Sequence, residues 1–407
     1  MRILVISHKP PYPPVDGGCL ATLNMCIGLA DAGNEVFVLT LSTPKHPSSI
    51  ERIPNDIQRK INFEIHSIPL ITNVFGYITN FFFTRIPYTI QRYKKNSFKW
   101  IIRRTLRYSH FDVVQLEGLY LYPYIKGIRK NYTGKIAFRA HNVEHQIWQT
   151  LASEEKNRFK AAYFGVLTRR LARIEKKVHK KVDALVAISQ PDLEWFTDNG
   201  FSKPSICVPV GYFFKNRLKD NAYKASDKPV ICYIGALDWR PNTDGLIWFI
   251  DWVWPRIQSM IPDIEFHIAG KNASETLAER LMIERNIIFH GQVADSSEFI
   301  QEYPIMVVPL FSGSGIRVKI IEGMFLQRAI VATSMAVKGI EVVNNEHILI
   351  ADTPESFAET VYNLVKAPHE GKRIAENAKN FAYQNFDATV LASKLTNFYK
   401  SLLSNDL

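Results

Sequence analysis

Short apolar runs rich in β-branched residues alternate with longer stretches of helical periodicity along almost the whole chain. No other feature narrows the possible folds as far. Residues 3–7, 36–41, 113–115, 135–139 and 184–188 read as buried strands, with helical stretches such as 19–32 and 159–181 between them. Strands separated by helices form parallel sheets, with the helices packed on both faces. Gly33 follows the first helical run and predicts its C-terminal cap. The pattern pauses near Gly211, and residues 216–228 are polar and weakly patterned. It resumes with strands at 230–234, 265–269, 287–289, 306–309, 329–332 and 348–350, then amphipathic helices at 355–366 and 372–384 and a last helix at 388–403. At 407 residues the chain is too long for one core. The expected division is a doubly wound domain over 1–212, a linker over 213–228 and a second doubly wound domain over 229–387. Segment 388–407 is a helix able to cross back onto the first domain. Ligands of such sheets sit beyond the carboxyl ends of the strands, so two facing domains would share a cleft.

Several classes drop out. The four cysteines show no C-x-x-C pair and no zinc-like spacing to histidine, so reduced buried thiols are expected. The first apolar run is too short for a signal peptide, and Lys9 and several prolines follow it. Residues 67–84 carry no charge, but Pro69, Thr72, Asn73, Gly76, Thr79 and Asn80 interrupt them, which speaks against a membrane span. The loop between the first strand and helix, 8–18, lacks G-x-G-x-x-G, which speaks against a nicotinamide dehydrogenase.

Net charge is +11 and unevenly placed. No acidic residue lies between Glu64 and Asp112, a window holding Arg85, Arg92, Lys94, Lys95, Lys99, Arg103, Arg104 and Arg107 among many aromatics. A second basic stretch runs over 156–181. Such blocks attract polyanions. No nucleic-acid recognition motif accompanies them, so nucleic acid is not an expected partner. Interleaved basic and aromatic residues suit an anionic membrane surface, expected through residues 68–107. The expected location is the cytoplasm, peripheral at the inner face of the plasma membrane. A solvated basic helix face is the alternative.

The segment with most chemistry is 308–324, VPLFSGSGIRVKIIEGM. A buried strand runs into a small-residue loop and then a helix. Gly313 and Gly315 let backbone approach a ligand closely, with Ser314 and Ile316 as further donor-binding candidates beside them, while Arg317 and Lys319 add charge where helix N–H groups can hold an anion. A phosphate or diphosphate site is expected there. Glu322, one turn past Lys319, either accepts the hydroxyls of a ribose or pairs with Lys319.

This block resembles the nucleotide-sugar motif of family 4 glycosyltransferases of GT-B fold, of the bacterial surface-polysaccharide type. The resemblance spans nearly the whole chain: the Pro14–Gly18 loop, Arg139–His145, Ala187–Ser189, Ile234–Asn242, Gly291–Val293 and Pro309–Gly339. It implies that Glu322 holds the donor ribose and that the glycine loop faces sugar and diphosphate. Gly17 and Gly18, with Asp16 beside them, border diphosphate and acceptor. His141 contacts the transferred sugar, and Gln292 and Val293 lie beside the base. Glu117 and Asn242 are further cleft candidates. Asp16 is equally suited to cap the helix after it.

The departures are specific. Ser314 stands where the family has the first glutamate of its Glu-x7-Glu motif, and Ala236 and Pro241 stand where its usual Arg and Lys should fall, neither of them basic. Arg317 and Lys319 supply positive charge on the opposite loop, so the diphosphate clamp is expected to have moved there. No Asp-x-Asp motif is present to hold a divalent ion. Neither metal nor cofactor is expected. The implied reaction is retaining, metal-independent transfer from a nucleotide-diphosphate sugar to a glycan or lipid-linked acceptor, in cell-surface polysaccharide biosynthesis. A nucleotide-sugar epimerase and a catalytically inactive GT-B scaffold are the alternatives.

Overall fold

The computed structural model describes residues 1–70, 80, 84, 86–155, 157–213, 228–312 and 316–404. Gly313, Ser314 and Gly315, most of the segment 213–228 and most of the uncharged stretch 67–84 lie outside the described residues. The chain divides into two compact units, Met1–Tyr212 with Ala388–Leu407, and Phe213–Asp387.

The first unit holds a seven-stranded sheet: β1 (Arg2–Ser7), β2 (Glu35–Ser42), β3 (Ile61–Ser67), β4 (Val113–Glu117), β5 (Lys135–Ala140), β6 (Ala184–Ala187) and β7 (Ser205–Cys207). All pairings are parallel, in the order β3-β2-β1-β4-β5-β6-β7. Its helices longer than one turn are α1 (Gly17–Asp31), α2 (Asn96–Tyr108), α3 (Tyr122–Asn131), α4 (Glu144–Glu154), α5 (Arg158–Val178) and α6 (Gln190–Asp198). The central strands are buried end to end, as expected of a sheet covered on both faces.

The second unit holds β8 (Val230–Ile234), β9 (Glu265–Ala269), β10 (Ile287–Gly291), β11 (Ile305–Val308), β12 (Ala329–Ala332) and β13 (Leu349–Ile350). They pair in parallel in the order β10-β9-β8-β11-β12-β13. The helices are α7 (Arg240–Trp248), α8 (Trp254–Met260), α9 (Glu275–Ile283), α10 (Ser296–Gln301), α11 (Val318–Phe325), α12 (Pro354–Lys366) and α13 (Pro368–Phe386).

The last helix, α14 (Ala388–Ser404), returns to the first unit. Leu391, Leu395, Tyr399 and Leu402 pack with Ile3, Val5, Met25 and Leu29 in one buried cluster, which closes one face of the first sheet. The chain expected from sequence lacked β3 and β7. β3 is an edge strand of alternating, half-exposed residues, and β7 is three residues long, so neither produces a continuous apolar run.

Candidate active site

In the second unit the strand order reverses between β8 and β11, which opens a crevice at their carboxyl ends. The loop after β8 enters α7 there, and the loop after β11 enters α11. Lys319, in the first turn of α11, donates from Nζ to Asn242 Oδ1 at 2.9 Å, and its ammonium lies 4.8 Å from the Tyr233 ring centroid. Asn242 is itself fixed: its Nδ2 donates to Ala236 O at 2.9 Å, and Tyr233 OH donates to Asn242 O at 3.1 Å. A Cβ at position 235 would lie 2.8 Å from Nζ, so Gly235 makes room for the ammonium. Burial, and then the charge of Arg317, push the Lys319 pKa down to about 7. Burial also lowers that of Arg317. Two cations thus converge at the switch point. The ammonium, although carried by the far loop, ends against the very β8–α7 loop where the family's usual basic residues are absent.

Glu322 lies deeper, 9% exposed. It does not pair with Lys319 as the i,i+3 spacing allows. Its Oε1 accepts from Ser296 Oγ at 2.7 Å and Ser297 Oγ at 2.6 Å, both from the first turn of α10. Gln292 and Val293 sit on the loop joining β10 to α10, and so precede the helix that holds Glu322. Ile316 is half-buried and packs near Gly339.

In the first unit the reversal falls between β1 and β4. Glu117, the last residue of β4, is 2% exposed. Its Oε2 accepts from Arg139 Nη1 at 3.1 Å, Thr22 Oγ1 at 3.2 Å and His141 Nε2 at 2.5 Å, and Gln115 Nε2 donates to Oε1. Burial alone would raise the Glu117 pKa. The Arg139 guanidinium and His141 outweigh it and hold the carboxyl at about 2. An ionised Glu117 requires the proton on His141 Nε2, so any contact of His141 with a sugar runs through Nδ1. Tyr399 OH donates to Gln115 Oε1 at 2.6 Å, which extends this buried chain from α14 to His141.

Asp16 caps α1, accepting from Cys19 N at 2.9 Å, and both its oxygens take the Lys9 ammonium at 2.7 and 2.8 Å. A Cβ at Gly18 would come within 2.8 Å of Lys9 Nζ, so a side chain there would displace the end of that lysine. Gly17 opens α1 with nothing near its missing Cβ. Asp16, Cys19 and His46 cluster closely enough to hold an ion, but the Lys9 ammonium already neutralises the carboxylate, and burial pushes the Cys19 thiol up to about 11. His8 stacks on Tyr120 at 4.4 Å, and Tyr120 OH donates to Glu144 at 3.2 Å. Burial lifts Glu144 to about 7.

Sequence reasoning named Lys319, Asn242, Glu322, Glu117 and His141 but missed Ser296 and Ser297 as the partners of Glu322, and Arg139, Gln115 and Tyr399 as the network around Glu117. Arg139 and Gln115 did leave a signal: each is a long polar side chain inside an otherwise apolar strand run.

Two family models match in tandem: one described as Glycosyltransferase Family 4 over residues 15–211, the other as Glycosyl transferases group 1 over residues 228–367. The chain belongs to the family 4 glycosyltransferases. This glycosyltransferase is 24% identical over 401 residues to a Klebsiella pneumoniae protein described as "Uncharacterized 44.6 kDa protein in cps region", covering 97% of this chain and 98% of that one. It is 22% identical over 254 residues to the putative glycosyltransferase EpsD of Bacillus subtilis, covering 57% of this chain and 64% of that protein. Among solved structures it is similar to Anabaena Alr3699/HepE in complex with UDP, with TM-score 0.62, 13% identity and coverage of 98% of this chain and 100% of that one. It is also similar to sucrose-phosphate synthase from Thermosynechococcus elongatus, with TM-score 0.62, 15% identity and full coverage of both chains. These likenesses show the GT-B fold of the glycosyltransferase. Among the described residues no helix is long and apolar enough to cross a membrane.

Proposed function

We propose that this glycosyltransferase moves a sugar, with retention of anomeric configuration and without a metal ion, from a nucleoside-diphosphate sugar to a lipid-linked glycan in cell-surface polysaccharide assembly. The second unit holds the donor and the first unit the acceptor. The observation that carries this reading is Lys319. Its ammonium is buried at a switch point, is pressed by a second cation, and is hydrogen-bonded to a neutral amide rather than to a carboxylate. A donor diphosphate supplies the missing counter-charge.

In the reaction the anomeric C–O bond to the diphosphate breaks as the acceptor oxygen bonds to the same face. The acceptor proton passes to the departing phosphate oxygen. Lys319, Arg317 and the N–H groups opening α11 stabilise the leaving charge. Glu322, steadied by its two serines, accepts the ribose hydroxyls, with Gln292 and Val293 beside the base. His141 meets the sugar through Nδ1. The solved complexes of HepE with UDP and with UDP-glucose support a uridine nucleotide as the first donor class to try. The relative from a cps region supports the polysaccharide role. The same reading places the protein at the cytoplasmic face of the membrane, touching anionic lipid through residues 68–107.

The test incubates the full chain with radiolabelled UDP-sugars and a bacterial lipid extract, then measures label in the organic phase. Label moving into lipid, and reduced by roughly 10²–10³ in Lys319→Met, is the expected result. Label remaining on nucleotide with altered sugar stereochemistry would establish an epimerase. Unchanged donor would establish an inactive scaffold.

A further inference from the structure

A cavity of about 270 Å³ opens between α2 and α3 in the first unit, and none of the switch-point residues described above lines it. Asn96, Lys99, Trp100 and Arg103 of α2 and Gly127 and Asn131 of α3 line it. The volume is below that of typical drug-sized ligand sites and so is small for a nucleotide sugar. Two cations, two side-chain amides, an indole and the Tyr124 phenol stand over an apolar floor of Ile102 and Ile128, with no carboxylate in the lining. Glu64, the last acidic residue before this stretch, is bonded to Arg104 on the neighbouring position of α2.

The surrounding surface shares that character. Phe98, Ile101, Ile102 and Leu106 turn α2 inward. Lys99, Trp100, Arg103, Arg104, Arg107 and Tyr108 form its outer stripe. Trp100 is 61% and Tyr108 77% exposed, and each has an arginine guanidinium over its ring. Aromatic rings with a polar edge, set among arginines, match the headgroup region of a bilayer. Gly127 sits within α3, where glycine is a weak helix former. A Cβ there would meet only Lys99 Cε, at an ordinary 3.7 Å, so backbone geometry does not demand glycine. What its absent side chain provides is depth to the cavity.

We propose that this α2–α3 cavity is a docking site for the phosphate-bearing headgroup of an anionic lipid. The phosphate is held by Lys99 and Arg103, and Trp100 and Tyr108 seat in the interface around it. This rests on the reading of a membrane-held acceptor and adds to it a specific lipid seat.

The experiment measures binding of the full-length protein to phosphatidylglycerol-containing vesicles and to pure phosphatidylcholine vesicles. Wild-type protein binds the former only. Lys99→Glu with Arg103→Glu weakens that binding by roughly tenfold or more, in line with the contribution of each basic residue near an anionic surface. Gly127→Leu fills the cavity without altering charge, and loses binding too. Lys177→Glu with Lys180→Glu, an equal charge change in the other basic stretch, retains it. Circular dichroism confirms that each variant is folded. Equal loss in both double variants, or wild-type binding in Gly127→Leu, would overturn the proposal in favour of diffuse surface charge. So would a melting shift with soluble glycerol phosphate in a protein that ignores vesicles, which would mark a soluble-anion site. The vesicle readout involves neither nucleotide nor sugar transfer, so its failure is distinguishable from failure of the transferase reading.

Discussion

Burying an ammonium beside a guanidinium is unfavourable until an anion arrives to share the charge. The folded pKa of Lys319, about 7, lies below its ordinary value of 10.5. Between those values the unfolded chain binds more protons, so stability rises with pH across that window, and Lys319→Met should flatten the rise in a pH series of urea melts. A bound diphosphate favours the charged form. Calorimetry in buffers of different ionisation enthalpy should therefore show proton uptake on nucleotide binding above pH 7, absent in Lys319→Met. Glu117 has the opposite sign. Its folded pKa of about 2 lies below the ordinary 4.5, so its stabilisation is complete above pH 4.5 and lost as pH falls through 2. Glu117→Gln leaves the fully buried Arg139 without its counter-charge, and should cost about 3–5 kcal/mol in denaturant melts at neutral pH.

Elements decide how those residues meet, and here sequence was an uneven guide. The alternation of apolar runs made both parallel sheets legible, because fully covered strands leave unbroken β-branched stretches. The charges of Arg317 and Lys319 at the entry to α11 were also visible in the sequence. What it could not show was where a long side chain ends. Lys319 was visible as a charge displaced to the wrong loop; that it reaches back across the switch point to Asn242 depends on Gly235 and Tyr233, some eighty residues earlier. Glu322 was read through its nearest helical neighbour, yet it answers to serines on another helix. Likewise α14 was expected as a helix able to cross back to the first domain, but nothing local marks Tyr399 as the anchor of Gln115 and, through it, Glu117. Tyr399→Phe leaves Gln115 Oε1 without its donor and should cost about 1–3 kcal/mol. Because the lost bond belongs to the chain that holds His141 and not to the second unit, the variant should lose transfer rate while nucleotide affinity is preserved.

At the scale of the whole molecule, each unit brings a separate polar centre to the carboxyl ends of its own sheet: a cation clasp in the second, a carboxylate-anchored histidine in the first. The proposed division of labour between donor and acceptor rests on that contrast, and its core is the proposal that Lys319 and Arg317 receive a diphosphate. The most direct measurement is the melting temperature of the full chain against a panel of nucleoside diphosphates. A ligand at about a hundredfold its dissociation constant adds roughly 2.7 kcal/mol to the folded state, enough to raise the midpoint by several degrees. At least one diphosphate should give that rise in the wild type. Lys319→Met should melt no lower than wild type without ligand, since it removes a buried charge, and should show no rise with it. A folded wild type indifferent to every diphosphate, or a Lys319→Met variant that responds as fully as the wild type, would contradict the account.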